Sequence, residues 1–193
     1  MSKIAVFGGT FNPFHIGHYE ILKSLCNQAF LDRVFVLPDK IPPHKVCDYL
    51  ARDEHRIEMC RIMCEDFSKA ELCLIDFERE GKSYTVDTIA LLKEKYPDDE
   101  FYFVIGGDML SSLDTWYKFD ELKAKTGFIA FARKTVAGFE NDLQKYKRLG
   151  VSIIPIYDEI TEVSSTELRC KLKRQLLPDK IYDYIVNKGI YNV

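Results

Sequence analysis

The chain has 193 residues, 47% hydrophobic and 30% charged, which suits one soluble globular domain (1–193) with a sizeable core. A formal net charge of −3 excludes the global basic footprint of a nucleic-acid binder, yet leaves room for a small anionic substrate held by local cations. No apolar run approaches ~18 residues, which excludes a membrane span, and the N-terminus enters a strand directly without a charged-then-apolar leader, so the expected location is cytoplasmic.

Lys3-Ile4-Ala5-Val6-Phe7 is a short apolar run that reads as a buried strand. Gly8 and Gly9 follow, a pair that lets backbone approach a ligand closely. A helix is expected over 19–30, with Ile21, Leu22, Leu25 and Ala29 on its apolar face. His15 and His18 stand where that helix starts, three apart and so on one face. A helix N-terminus adds unpaired N–H groups and a positive dipole end. Strand, glycine turn, histidine pair and helix together describe a site for a polyphosphate.

Further strands are expected over 33–37, 72–75, 101–105, 127–131 and 151–154, and helices over 52–65, 85–96, 141–148, 166–173 and 179–187. The 52–65 helix is expected to turn Ile57, Cys60, Met63 and Cys64 inward. Alternating strands and helices imply an α/β fold, a Rossmann-like doubly wound domain with a mostly parallel sheet, closed by a helical segment over about 164–193. Ligands of such sheets collect at the carboxyl ends of the strands, where Gly8–His18 and Gly106–Asp108 both fall. Six cysteines are present, Cys26, Cys47, Cys60, Cys64, Cys73 and Cys170. None form a C-x-x-C pair, and the Cys60/Cys64 spacing lacks a second close pair to complete a metal site. They read as reduced thiols, mostly packed as small hydrophobes.

Gly8-Gly9-Thr10-Phe11-Asn12-Pro13-Phe14-His15-Ile16-Gly17-His18 resembles the nucleotidyltransferase motif with its H-x-G-H core, and Val163-Ser164-Ser165-Thr166-Glu167-Leu168-Arg169 resembles the I-S-S-T-x-I-R motif of the same superfamily. Between them lie Pro42-Pro43-His44-Lys45, Ser83-Tyr84-Thr85-Val86-Asp87-Thr88 and Ile105-Gly106-Gly107-Asp108 with Trp116. In this order, over nearly the whole chain, they resemble the bacterial nicotinate-nucleotide adenylyltransferases. Asn12 departs from that family's usual Asp, and Val163 and Leu168 replace isoleucines.

The resemblance implies adenylyl transfer from ATP, accompanied by Mg²⁺, to nicotinate mononucleotide, giving deamido-NAD and pyrophosphate in NAD biosynthesis. His18 and His15 are the implied phosphate-stabilising pair, joined by Arg169. Gly8, Gly9, Thr10, Phe11, Gly106, Asp108, Arg133, Ser164, Ser165 and Thr166 complete the implied ATP site. His44, Lys45, Tyr84, Thr85 and Trp116 are the implied site for the mononucleotide, with Trp116 stacking on the pyridine ring and the helix start at Thr85 receiving the carboxylate. Gly107 is expected to act only through its backbone, and 39–49 to form a lid. No direct side-chain metal ligand, nucleic-acid partner or membrane is implied, and an oligomer is compatible. Other adenylyltransferases share the first and last motifs, and a nucleotide sensor without catalysis is the rival from another class. Neither accounts for Ser83-Tyr84-Thr85 and Trp116 together with both histidines.

Overall fold

Along the first strand, Ile4 and Val6 fall into one apolar cluster and Ala5 and Phe7 into another. Successive strand residues point to opposite faces, so such a strand is stable only when both faces are covered. A computed structural model describes residues 1–41, 50–132 and 138–191. It contains β1 (Lys3–Gly9), β2 (Arg33–Pro38), β3 (Ala70–Leu72), β4 (Glu100–Gly106), β5 (Gly127–Phe131) and β6 (Ile153–Ile156). These pair in the order β3-β2-β1-β4-β5-β6, every neighbour parallel. The chain winds outward in two directions from β1 and β4, whose carboxyl ends flank the switch point where such sheets bind ligands.

One face is covered by α1 (Ile16–Asn27), α2 (Asp53–Cys64), α7 (Ser165–Cys170) and α8 (Asp179–Lys188), through Leu22, Leu25, Met59, Leu168, Ile181 and Ile185. The other is covered by α3 (Thr85–Lys95), α4 (Gly107–Leu110), α5 (Phe119–Lys125) and α6 (Phe139–Arg148), through Ile89, Leu92, Leu110, Leu122 and Tyr146. Leu22, Leu25, Ile89 and Leu92 are fully buried, each worth about 1.5–3 kcal/mol of transfer free energy.

Several expected boundaries move. The first helix starts at Ile16, not 19, because His15 caps it, and ends at Asn27. The third strand lies at Ala70–Leu72 and hands over to a 3₁₀ turn, Ile75–Glu78, where a strand was expected over 72–75. Gly150 in the left-handed region (φ +73°) returns the chain so that the Val151 N–H donates to the Tyr146 carbonyl, and β6 begins two residues later than expected. The helix expected over 166–173 is shorter, Ser165–Cys170. Helix α5 was not expected at all. Arg56, not Ile57, is the fully buried residue of its turn of α2, and Cys64 is only half-buried. Among the described cysteines all are free, but only Cys60 is buried, Cys170 being exposed. No described helix is long and apolar enough to cross a membrane.

Candidate active site

The first turn of α1 is capped by its own two histidines. His15 is the N-cap; its Nδ1 accepts the His18 backbone N–H, and the His18 Nδ1 accepts the His15 backbone N–H, both at 3.3 Å. This is a capping box built from imidazoles in place of the usual hydroxyl and carboxylate. Two donors of the helix start are thereby satisfied, and with Nδ1 accepting, each neutral ring carries its proton on Nε2. The rings stack with centroids 3.5 Å apart at 16°. Phe7, Phe11 and Phe14 meet the His18 ring edge to face at 6.2, 5.0 and 5.3 Å. A donor nitrogen so confined needs little reorganisation when charge develops beside it.

The turn that delivers this pair is unusual. Phe11 is buried at φ +48° and the Asn12–Pro13 peptide is cis. Left-handed backbone costs a bulky residue energy, and here the surroundings hold it. Asn12 is buried; its Oδ1 accepts the Ala51 N–H at 3.2 Å and the Tyr191 hydroxyl at 2.7 Å. Behind the loop, fully buried Arg56 donates from Nη1 to the carbonyls of Thr10 (3.0 Å) and Asp39 (2.7 Å), and from Nη2 to Asp53 at 2.6 Å.

The second motif docks directly on the first. Arg169 donates to the Asn12 carbonyl at 2.9 Å and to Thr166 Oγ1 at 3.0 Å. Ser164 caps α7, its hydroxyl accepting the Glu167 N–H. Upstream, Glu20 on α1 accepts both the N–H and the hydroxyl of Thr161. A Cβ at Gly17 would lie 2.5 Å from the Thr161 carbonyl oxygen. The glycine of H-x-G-H is therefore the seat on which the approach to the second motif rests.

A cavity of about 1040 Å³ opens between the two motifs and the ends of β1 and β4. Its wall includes Gly8, Gly9, Thr10, Phe11, His15 and His18 from the first motif, and Ser164, Ser165, Thr166 and Arg169 from the second. Gly106 and Asp108 line it from β4 and α4, and Tyr84, Thr85 and Trp116 from the far side. Trp116 packs edge to face on Phe103 at 5.9 Å, and Tyr84 lies 4.5 Å from Tyr117. Thr85 opens α3, whose N-cap Tyr84 makes no side-chain cap. His44, Lys45, Arg133 and most of the expected 39–49 lid lie outside the described residues.

Gly106 is the N-cap of α4, and Asp108 sits in its first turn. The Gly107 backbone is closely approached, since a Cβ there would meet the Phe131 carbonyl and the Phe139 ring, each at 3.1 Å. The expected site residues do not include Asp39, Asp76, Ser83, Thr88 and Tyr117, which also line the wall, or Arg56, which braces the loop from behind. Ser83, Thr88 and Tyr117 lie in or beside quoted motifs. Asp76 and Arg56 carry no signal beyond being ordinary charged residues near helix starts.

A doubly wound sheet with H-x-G-H and S-S-T-x-x-R across its switch point defines a nucleotidyltransferase, and the cytidylyltransferase-like family model matches residues 6–171. Nicotinate-nucleotide adenylyltransferase of Bacillus subtilis (strain 168) is 39% identical over 196 aligned residues, covering 99% of each chain. The chain belongs to the nicotinate-nucleotide adenylyltransferases. Its fold is shared by solved structures of Plasmodium falciparum nicotinic acid mononucleotide adenylyltransferase, one complexed with APC (22% identical) and one with NaAD (23%). Each has a TM-score of 0.82 and covers 100% of this chain and 98% of that one.

Proposed function

We propose that this chain transfers the adenylyl group of ATP to nicotinate mononucleotide, forming deamido-NAD and pyrophosphate in the cytoplasm. The observation that carries the reading is one cavity bounded by both phosphate motifs on one side and by Tyr84, Thr85 and Trp116 on the other. The acceptor phosphate attacks the α-phosphorus of ATP; a new P–O bond forms, the bond to the β-phosphate oxygen breaks, and pyrophosphate departs with that electron pair. The attacking oxygen is already anionic, so no general base is required, and positioning with charge stabilisation supplies the rate.

In this reading His18 donates from Nε2 to the α-phosphoryl oxygens as their charge rises. His15 meets the adjacent phosphates, and Arg169 with Ser164, Ser165 and Thr166 holds the departing pyrophosphate. Gly8, Gly9, Thr10 and Phe11 shape the turn over the nucleotide, and Gly106 and Asp108 face the ribose. The α3 start at Thr85 receives the nicotinate carboxylate, and Trp116 stacks on the pyridine. Lys45 and His44 serve the mononucleotide phosphate and Arg133 the ATP side.

Among the described residues no group of three or more His, Cys, Asp or Glu side chains could hold a metal by itself. Mg²⁺ would be carried on the ATP phosphates, an ion that keeps few direct protein ligands. Mg²⁺ supplies charge neutralisation there when bound. ATP labelled at the α-phosphate tests the reading. The label should pass into a dinucleotide with the mass of deamido-NAD, one per pyrophosphate released; release as free AMP without dinucleotide contradicts it.

A further inference from the structure

The wall proposed to take the nicotinate carboxylate contains a carboxylate of its own. Asp76 lines the cavity beside Thr85, yet is only 2% exposed. It is bound to the first turn of α3, because Thr88 Oγ1 lies 2.6 Å from its Oδ1 and 3.2 Å from the Tyr84 carbonyl. A bare buried anion at that position would repel an acidic ligand and favour an uncharged one.

Arg79, three residues on, answers this charge. Its Nη2 lies 3.4 Å from Asp76 Oδ1 and 3.5 Å from Thr88 Oγ1, and its Nη1 donates to the Lys82 carbonyl at 2.7 Å. The side chain is 17% exposed, and its Nε is buried with no hydrogen-bond partner among the described residues. Burying an underbonded guanidinium is costly, which is reasonable where its charge is needed. The backbone around it is fixed: Lys40 Nζ donates to the Arg79 carbonyl at 2.9 Å, and the Lys40 N–H to Ser83 Oγ at 3.2 Å.

We infer that Arg79 is a specificity-determining residue: by neutralising Asp76 on the acceptor wall it lets the site accept a pyridine carboxylate over its amide. It touches no substrate and acts through Asp76. The inference rests on the acceptor reading proposed above.

The test measures kcat/KM for nicotinate mononucleotide and for its amide in the wild type, Arg79→Met, Arg79→Lys and the double variant Asp76→Asn/Arg79→Met. Melting temperatures confirm which variants fold. Removing the cation should lower the acid-to-amide ratio by ~10-fold or more, Arg79→Lys should retain most of it, and the double variant should restore it because the anion has gone too. An equal loss on both substrates in Arg79→Met, leaving the ratio unchanged, overturns the inference. So does a double variant whose ratio stays low. If Arg79→Met does not fold, the folded double variant decides: a ratio near wild type supports the inference and a low one overturns it. A wild type that adenylylates neither substrate instead fails the underlying functional reading.

Discussion

His15 and His18 each accept the other's backbone N–H through Nδ1, at 3.3 Å in both directions. The cap and the proposed phosphate donors are thus the same two rings, and two effects can be separated by mutation. His18→Ala should lower turnover by ~10²–10³ through loss of a transition-state donor. His15→Ala should lose turnover and also about 1 kcal/mol of stability with the cap, whereas His15→Asn, a good N-cap residue, should keep the stability and still lose activity. Steady-state rates beside thermal melts distinguish the cases. A fully active His15→Asn would show that the residue serves only as a cap.

Gly17→Ala sets two magnitudes against each other. Alanine within a helix gains up to about 1 kcal/mol over glycine, but the added Cβ would sit 2.5 Å from the Thr161 carbonyl. That carbonyl is backbone, held through Thr161 by Glu20, so the clash should win. The expected outcome is a displaced second motif, with KM for ATP raised ~10-fold or more. A variant that is more stable and equally active would contradict the seating of that segment on α1.

Arg56→Met removes the donor to two backbone carbonyls, those of Thr10 and Asp39, behind the first motif. Breaking a buried charged cluster typically costs about 3–5 kcal/mol, which lowers Tm by roughly 6–20 °C for a domain of this size. Calorimetry of the purified variant checks this. A change within a degree would mean that Arg56 does not brace the loop.

Thiol reactivity reports on packing. Burial pushes the Cys60 thiol well up, Cys26 up to about 11 and Cys64 up to about 12. These groups stay protonated and poorly nucleophilic at neutral pH. Of the described cysteines, exposed Cys170 should be alkylated first by iodoacetamide at pH 7.5, and Cys60 only on unfolding. Mass mapping of a time course checks the order; early labelling of Cys60 would contradict the packing of α2.

The sequence makes parts of this molecule legible and leaves others hidden, for physical reasons. Lys3–Phe7 and 101–105 read as strands because they are buried on both faces and nearly all apolar. The first motif reads as a phosphate site from its glycine turn, histidine pair and helix start, whereas 163–169 joins it only through the family resemblance, its serines and threonine reading otherwise as a helix cap. Arg56 stays hidden because helical periodicity assigns apolar Ile57 to the core, while the carbonyls of Thr10 and Asp39 draw a guanidinium inward. Asp76 and Arg79 are equally hidden, in and just after a 3₁₀ turn with no apolar period. Helix α5 is too short, at seven residues, to show an amphipathic pattern, and it begins after a left-handed Lys118 at φ +51°. The end of the sheet shifts because Gly150 turns Val151 back toward Tyr146.

The central claim is that the acceptor is the acid mononucleotide and that His18 stabilises the transfer. The most direct measurement is pyrophosphate release with ATP and Mg²⁺, comparing nicotinate mononucleotide with its amide, in the wild type and in His18→Ala. The account predicts a preference for the acid of about 10² or more in kcat/KM, with turnover on the acid falling ~10²–10³ in the variant. Activity on the amide alone, or a His18→Ala protein as fast as the wild type, would contradict it.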